Sequence, residues 1–322
     1  MEAYFAPIER PARARRVALL GLRIAISGAA LWLAFGGTDL AEVARSMAAA
    51  GVTPIALTLG VYLVGQVVSA LRWLLIARSI GFVLRPSTAV IYYFIGMFFN
   101  FLGPSLLGGD VARSLYLARG RERMVAAAAT VAFDRYVGFV WLAVMGSAAQ
   151  IVFGSFSIPA RLVWATHGLA IVAFASWLLL PAVGSERIPS GFFRVRSAAS
   201  VISLVFHVIQ IAGAIALAQA VSPATPWRYC FVFHPLVAIV SALPISIAGL
   251  GVRESGYVYF LSTVEGASEG HAGAFAAAWL AVVTASSTIG GIVFLVSGGR
   301  LPRDREESAR SEDHSTQLPS SS

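Results

Sequence analysis

One polar cassette occurs twice in this chain, each time inside otherwise apolar sequence, and it restricts the possible folds more than any other feature. The first copy reads Asn100-Phe-Leu-Gly-Pro104-Ser-Leu-Leu-Gly108-Gly109-Asp110-Val-Ala-Arg113, and the second reads Ser241-Ala-Leu-Pro244-Ile-Ser-Ile-Ala-Gly249-Leu-Gly251-Val-Arg253-Glu254. In both copies Pro is followed five residues later by Gly and nine residues later by Arg. Helix breakers and ionised side chains are costly in hydrocarbon, where non-helical backbone survives only beside protein or a watery cavity. A chain that repeats such an interruption is expected to fold around it.

The surroundings of the cassettes are those of an integral membrane domain. Hydrophobic residues make up 57% of the 322-residue chain and charged residues only 12%, about half the charge of a soluble protein. Apolar blocks of near-span length read as Val17–Phe35, Val52–Ala77, Met124–Phe153, Leu162–Ala182, Ala198–Val221 and Ala272–Val296. Two further stretches, Ser87–Leu102 and Tyr229–Leu243, run directly into a cassette. Residues 1–16 read as a basic cytoplasmic N-terminus, with Val17–Phe35 retained as a first helix rather than cleaved as a signal peptide. Residues 301–322 are charged and then Ser-rich, and read as a disordered cytoplasmic tail.

Arginine supplies all 24 basic side chains, for a net charge of +8. These residues lie in short loops beside the spans, where they set orientation and meet anionic headgroups, so nucleic acid is not an expected partner. One set of connections holds Arg10 to Arg16, Arg78 with Arg85, Arg119 to Arg123, Arg187 to Arg196 and Arg300 to Arg310. The opposite set holds Arg45, Arg161 and Arg228 with Asp39, Glu42, Glu265 and Glu269. The first set is expected to be cytoplasmic, with both termini inside.

Because Arg85 precedes the first cassette and Arg119 to Arg123 follow it, residues 87–117 must enter from the cytoplasm and return, as a re-entrant hairpin turning near Gly103-Pro104. Residues 229–261 are expected to do the same from the outer side. The fold class read from the sequence is therefore an all-α polytopic membrane protein, with six long transmembrane helices and two re-entrant hairpins in an inverted repeat. The units are residues 17–153 and 162–297. The competing parse makes Ser87–Leu102 and Tyr229–Leu243 full crossings. Broken helices meeting near the midplane are the arrangement of secondary transporters.

Pro104 and Pro244 break the helix, and Gly108, Gly109, Gly249 and Gly251 permit turns or close backbone approach. The short helix after each break presents free N–H groups, followed by Arg113 or Arg253. Facing each other, the two would make an anion site, and arginine forks match phosphate oxygens. The plainer alternative pairs each cation with a neighbour: Arg113 with Asp110, and Arg253 with Glu254. Asp134 and Arg135 lie inside the span that starts at Met124, and point about 100° apart on a helix, so each needs a partner elsewhere. Arg135 with Asp110 and Asp134 with Arg113 are the natural pairs. Asn100, Gln66 and Gln210 could line a cavity or bond between helices. His207 and His234 read as hydrogen-bonding residues first and proton carriers second. A single cysteine, Cys230, leaves no internal disulfide. There is no metal cluster, nucleophile triad or phosphate-loop motif in the sequence, so no catalytic residue, metal or cofactor is expected.

Three stretches carry a family resemblance: Phe98 to Arg113, Phe133-Asp-Arg-Tyr-Val-Gly138, and Leu243 to Glu254. Together they resemble the lysylphosphatidylglycerol synthase transmembrane region, the flippase-like membrane part of the multiple peptide resistance factor, which also occurs as stand-alone proteins. The resemblance covers Val17 to Val296 and implies a bacterial inner-membrane protein that moves polar lipids between leaflets. It places Asp110, Arg113, Asp134, Arg135, Arg253 and Glu254 at the family's charged motif positions. The soluble aminoacyl-transfer domain of the full-length synthases is absent from this sequence, so synthase activity is not carried over. The expected function is a lipid transporter or flippase for a polar, anionic, phosphate-bearing lipid. The substrate is left open among phospholipid, glycolipid and hopanoid-type lipids. The alternatives are a non-transporting accessory or scaffold that partners a lipid-biosynthetic enzyme, and an intramembrane lipid-modifying enzyme.

Overall fold

A computed structural model describes residues 10–102, 108–118, 120, 122–184, 188–243 and 245–298. The expected basic segment is therefore described only from Arg10, and the expected tail at 301–322 lies outside the described residues. So do the two break prolines, Pro104 and Pro244. Every regular element among the described residues is helical: α1 (Arg10–Phe35), α2 (Leu40–Ala50), α3 (Val52–Ser79), α4 (Pro86–Leu102), α5 (Gly108–Ala118), α6 (Met124–Phe153), α7 (Ala160–Gly184), α8 (Ser190–Val221), α9 (Trp227–Ser241), α10 (Val252–Val258) and α11 (Glu269–Val296). A π-helical turn, Tyr259–Val264, continues α10.

Helices α3, α6, α7, α8 and α11 are long and apolar enough to cross a membrane. The expected span Val17–Phe35 falls inside α1. Its Ile24–Phe35 part qualifies only together with Leu40–Ala50, from which it is bent by 77°. Helix α2 replaces an expected loop. Its signal is present in the sequence, since Asp39 caps the helix by accepting the Ala41 N–H at 2.9 Å and Glu42 lies in the first turn. The sequence also starts α1 too late, because helix continues back through the arginine-rich stretch to Arg10. Large apolar side chains face outward along the spans, among them Leu33, Ile151, Ile171, Val172 and Val201. On a soluble protein such a surface would be a liability, whereas lipid covers it here.

The bundle is organised around α3 and α8. Thr58 Oγ1 donates to the Gly213 carbonyl at 3.4 Å, and fourteen residues further along α3 Arg72 donates to Ser203 Oγ at 2.6 Å, so the two helices run antiparallel. Gly65 lets them approach, because a Cβ there would come within 2.9 Å of Gln210 Nε2. Since α4 follows the end of α3 and α9 follows the end of α8, antiparallel packing makes the two cassette segments start from opposite ends of the bundle.

Each cassette segment is a hairpin. In the first, Gly109 packs on the Gly96 carbonyl and Asn100, and the tilted rings of Tyr92 and Tyr116 meet with centroids 4.7 Å apart, so α5 returns along α4. In the second, Gly249 lies beside Ser241, Gly256 beside Val237 and Tyr257 beside His234, so α10 returns along α9. Each hairpin also leans on the last helix of the opposite half. Gly290 and Gly291 of α11 receive Phe94 and Phe98 of α4, while Gly146 of α6 receives Pro235 of α9.

Candidate functional site

A cavity of about 780 Å³ opens between the hairpins. Its wall takes Gly96, Asn100, Asp110 and Arg113 from the first hairpin, and Ser241, Ser246, Ala248, Gly249 and Arg253 from the second. Helix α3 adds Tyr62, Gln66, Ser69 and Arg72; α6 adds Asp134 and Arg135; α8 adds Phe206 and His207; and α11 adds Ser287.

The first hairpin is tied into a chain of alternating charges. Arg72 Nε donates to Asp134 Oδ1 at 2.7 Å, and Arg113 Nη1 donates to Asp134 Oδ2 at 3.3 Å. The other terminal nitrogen of Arg113 donates to Asp110 Oδ1 at 2.8 Å, and Arg135 Nη2 reaches the same oxygen at 3.0 Å. Asp134 is 1% exposed, so the two guanidiniums on either side replace its hydration. The terminal nitrogens of Arg72 donate to Ser203 and Ser69. Arg113 lies over the rings of Tyr93 and Trp73, 4.7 and 5.4 Å from their centroids, which adds cation–π attraction to its ion pairs. Three arginines here face two carboxylates, leaving one positive charge, and Arg135 at 55% exposure is the open end of the chain.

The second hairpin holds its charges to itself. Arg253 donates from Nε at 2.9 Å and Nη2 at 2.6 Å to Glu254 Oε1, although adjacent helical residues ordinarily diverge. The pairing is possible because Glu254 bends back to cap its own helix, with Oε2 accepting the Gly251 N–H at 2.6 Å. Glu254 is fully buried and is not part of the cavity wall, so its carboxylate aims Arg253 and completes the helix start. The break before α10 is held in left-handed backbone, with Ala248 at φ 51°, Gly249 at 77° and Gly251 at 81°. Glycine takes this conformation freely, but Ala248 bears about 1–3 kcal/mol of strain, the kind of local cost found where backbone geometry serves a site. Helix α1 clamps this loop from outside. Ser27 Oγ accepts the Ile247 N–H at 3.0 Å, and Ser255 Oγ donates to the Ala30 carbonyl. Gly251 packs so closely on the Ser27 carbonyl that a side chain would collide with α1.

Among the residues singled out in the sequence, Asn100, Asp110, Arg113, Asp134, Arg135, Gly249 and Arg253 converge on the cavity, as do Gln66 and His207. Gly108, Gly109 and Gly251 do not reach its wall. Asn100 is held by accepting the Gly109 N–H at 3.0 Å. All four anticipated ion pairs form. Gln210 stands apart, and His234 stacks on Tyr257 and meets Trp279 edge-on, and neither reaches the cavity. Sequence reasoning missed Arg72, the partner that makes a buried Asp134 tolerable. One arginine in the Val52–Ala77 block barely lowers its hydropathy, but the flanking Ser69 and Trp73 marked a polar face. It also missed Ser246, whose buried Oγ has no hydrogen-bond partner among the described residues. No group of three or more His, Cys, Asp or Glu among the described residues could hold a metal ion.

No curated protein matches the chain. The family described as Lysylphosphatidylglycerol synthase TM region matches residues 20–291, a stretch that holds both hairpins and every wall residue named above. This protein therefore belongs to the lysylphosphatidylglycerol synthase transmembrane-region family, as a multi-pass, all-helical membrane protein.

Proposed function

We propose that the protein moves a polar lipid with an anionic, phosphate-bearing headgroup between the leaflets of a bacterial inner membrane. The observation that carries this reading is the placement of the cavity. It lies where two hairpins from opposite ends of one bundle meet, and its wall carries excess positive charge. The headgroup occupies the cavity while the acyl chains stay in the bilayer. Rocking of one half against the other about α3 and α8 then opens the cavity to each leaflet in turn, the usual logic of inverted-repeat transporters. The direct test is leaflet exchange of fluorescent phosphatidylglycerol in phosphatidylcholine vesicles containing the purified chain. Exchange faster than in protein-free vesicles is expected, and an equal rate would overturn the reading.

The proposed orientation places both termini in the cytoplasm. Cys230 is buried, so single cysteines introduced at the exposed positions Arg85 and Glu269 report against a quiet background. An impermeant thiol reagent is expected to label the Glu269 position from outside intact cells and the Arg85 position only after lysis; the reverse order would refute the orientation. A second reading is a static lipid-binding accessory to a biosynthetic enzyme. It is favoured by the cross-bracing of the first hairpin through Asp134, which suits a rigid wall. Lipid binding without exchange would select it.

A further inference from the structure

Four arginines face the cavity: Arg135 gives Nε and Nη2 to Asp110 from the solvent-exposed end of the ion-pair chain, and the other three, which are enclosed, differ in what their guanidiniums have left to give. Each of the three nitrogens of Arg72 is engaged, with Asp134, Ser203 and Ser69. Both terminal nitrogens of Arg113 bond carboxylates, the rings of Tyr93 and Trp73 lie against its guanidinium, and its side chain is 3% exposed. Arg253 uses Nε and Nη2 on a single oxygen of Glu254, so among the described residues its Nη1 has no partner, and the side chain keeps 11% exposure. Seven residues earlier on the same hairpin, Ser246 also lines the cavity, and its Oγ is buried without a partner among the described residues. Burying a hydroxyl unpaired is unfavourable, and native structures seldom leave one so without a reason. The strained Ala248 lies between the two, in a loop that α1 clamps through Ser27.

We infer that the anion seat of the cavity is built on the second hairpin, from Arg253 Nη1 and the Ser246 hydroxyl, which together hold one phosphodiester of a lipid headgroup. The inference rests on reading the cavity as a headgroup site, and it deepens that reading by naming which cation receives the ligand. Glu254 is the positioning residue. By occupying Nε and Nη2 it turns the remaining edge of the guanidinium towards the ligand, and its own second oxygen is committed to Gly251. The phosphate would satisfy both open donors at once. A phosphodiester carries a single negative charge, which matches the one positive charge left by the ion-pair chain on the facing wall.

The test measures equilibrium binding of fluorescent phosphatidylglycerol to the purified full chain in detergent, with fluorescent phosphatidylcholine as the zwitterionic control. The wild-type chain is expected to prefer phosphatidylglycerol. Ser246→Ala should weaken that binding roughly tenfold, the worth of one hydrogen bond to an anion, without lowering the thermal midpoint, because it removes an unpaired buried group. Arg253→Lys keeps the charge opposite Glu254 but loses the planar fork, and should weaken binding roughly tenfold or more. Excess inorganic phosphate should leave the bound lipid in place. Unchanged affinity in Ser246→Ala, equal affinity for the two lipids, or displacement by inorganic phosphate would each overturn the assignment. Binding is read without transport. If leaflet exchange is absent while the affinities shift as stated, the transport reading falls and the seat stands.

Discussion

The two hairpins carry the same spacing of Pro, Gly and Arg, yet they are held in different ways. The first is braced from outside. Its Arg113 reaches Asp134 on α6, Asp134 reaches Arg72 on α3, and aromatic rings of α3 and α4 close over the guanidinium. The second is braced from within, where Arg253 and Glu254 neutralise each other and Glu254 caps the helix it begins. Its outside support is neutral, from hydroxyls and a close glycine contact with α1. A repeated motif thus specifies a break and a cation, but not what the cation does. One arginine has become part of a wall, and the other keeps a free edge.

The comparison is open to attack through the carboxylates. Asp134→Asn removes the countercharge of two buried arginines at once and should cost about 3–5 kcal/mol, seen as a large fall in thermal midpoint and folded yield. Glu254→Gln leaves one arginine, which borders the cavity, and preserves an acceptor for Gly251, so its cost should be about 1–3 kcal/mol. Equal losses in the two variants would erase the distinction between outside and inside bracing. A smaller contrast comes from the glycines. In Gly109→Ala the new methyl overlaps the Gly96 carbonyl and sits 2.6 Å from Asn100 Cγ, so α4 and α5 must separate, at about 1–3 kcal/mol. In Gly256→Ala the nearest atom is Cγ2 of Val237 at 3.1 Å, a side chain that can shift by tenths of an ångström, and the cost should stay below about 1 kcal/mol. Thermal melts of both variants decide this, and a larger loss at Gly256 would show the second hairpin to be the tighter of the two.

Much of this arrangement was legible beforehand because the bilayer imposes it. Apolar blocks of sufficient length became α3, α6, α7, α8 and α11, and each interrupted block became a hairpin. The pairing of Arg113 with Asp110 followed from a three-residue spacing on one helical face. The pairings of Arg135 with Asp110 and of Asp134 with Arg113 followed from the need of intramembrane charges for partners. Helix α2 went unread although its cap residues were visible, because a short amphipathic segment between spans looks like a loop. Arg72 was concealed by the hydropathy of its own helix, and Ser246 by the fact that an unpaired hydroxyl looks like any other serine until its surroundings are known.

The sequence by itself determined where the chain must cross, where it must break and which charges could not stay unpaired, since hydrocarbon penalises open backbone and bare ions regardless of what lies nearby. Only the tertiary structure decided which distant groups complete those pairs. Arg72 finds Asp134 across 62 positions of sequence and Ser203 across 131, and such pairs exist only once α3, α6 and α8 have packed. Coulomb attraction and hydrogen bonding depend on distance in space, and packing alone sets that distance. It left the arginine of one hairpin enclosed and that of the other open to the cavity.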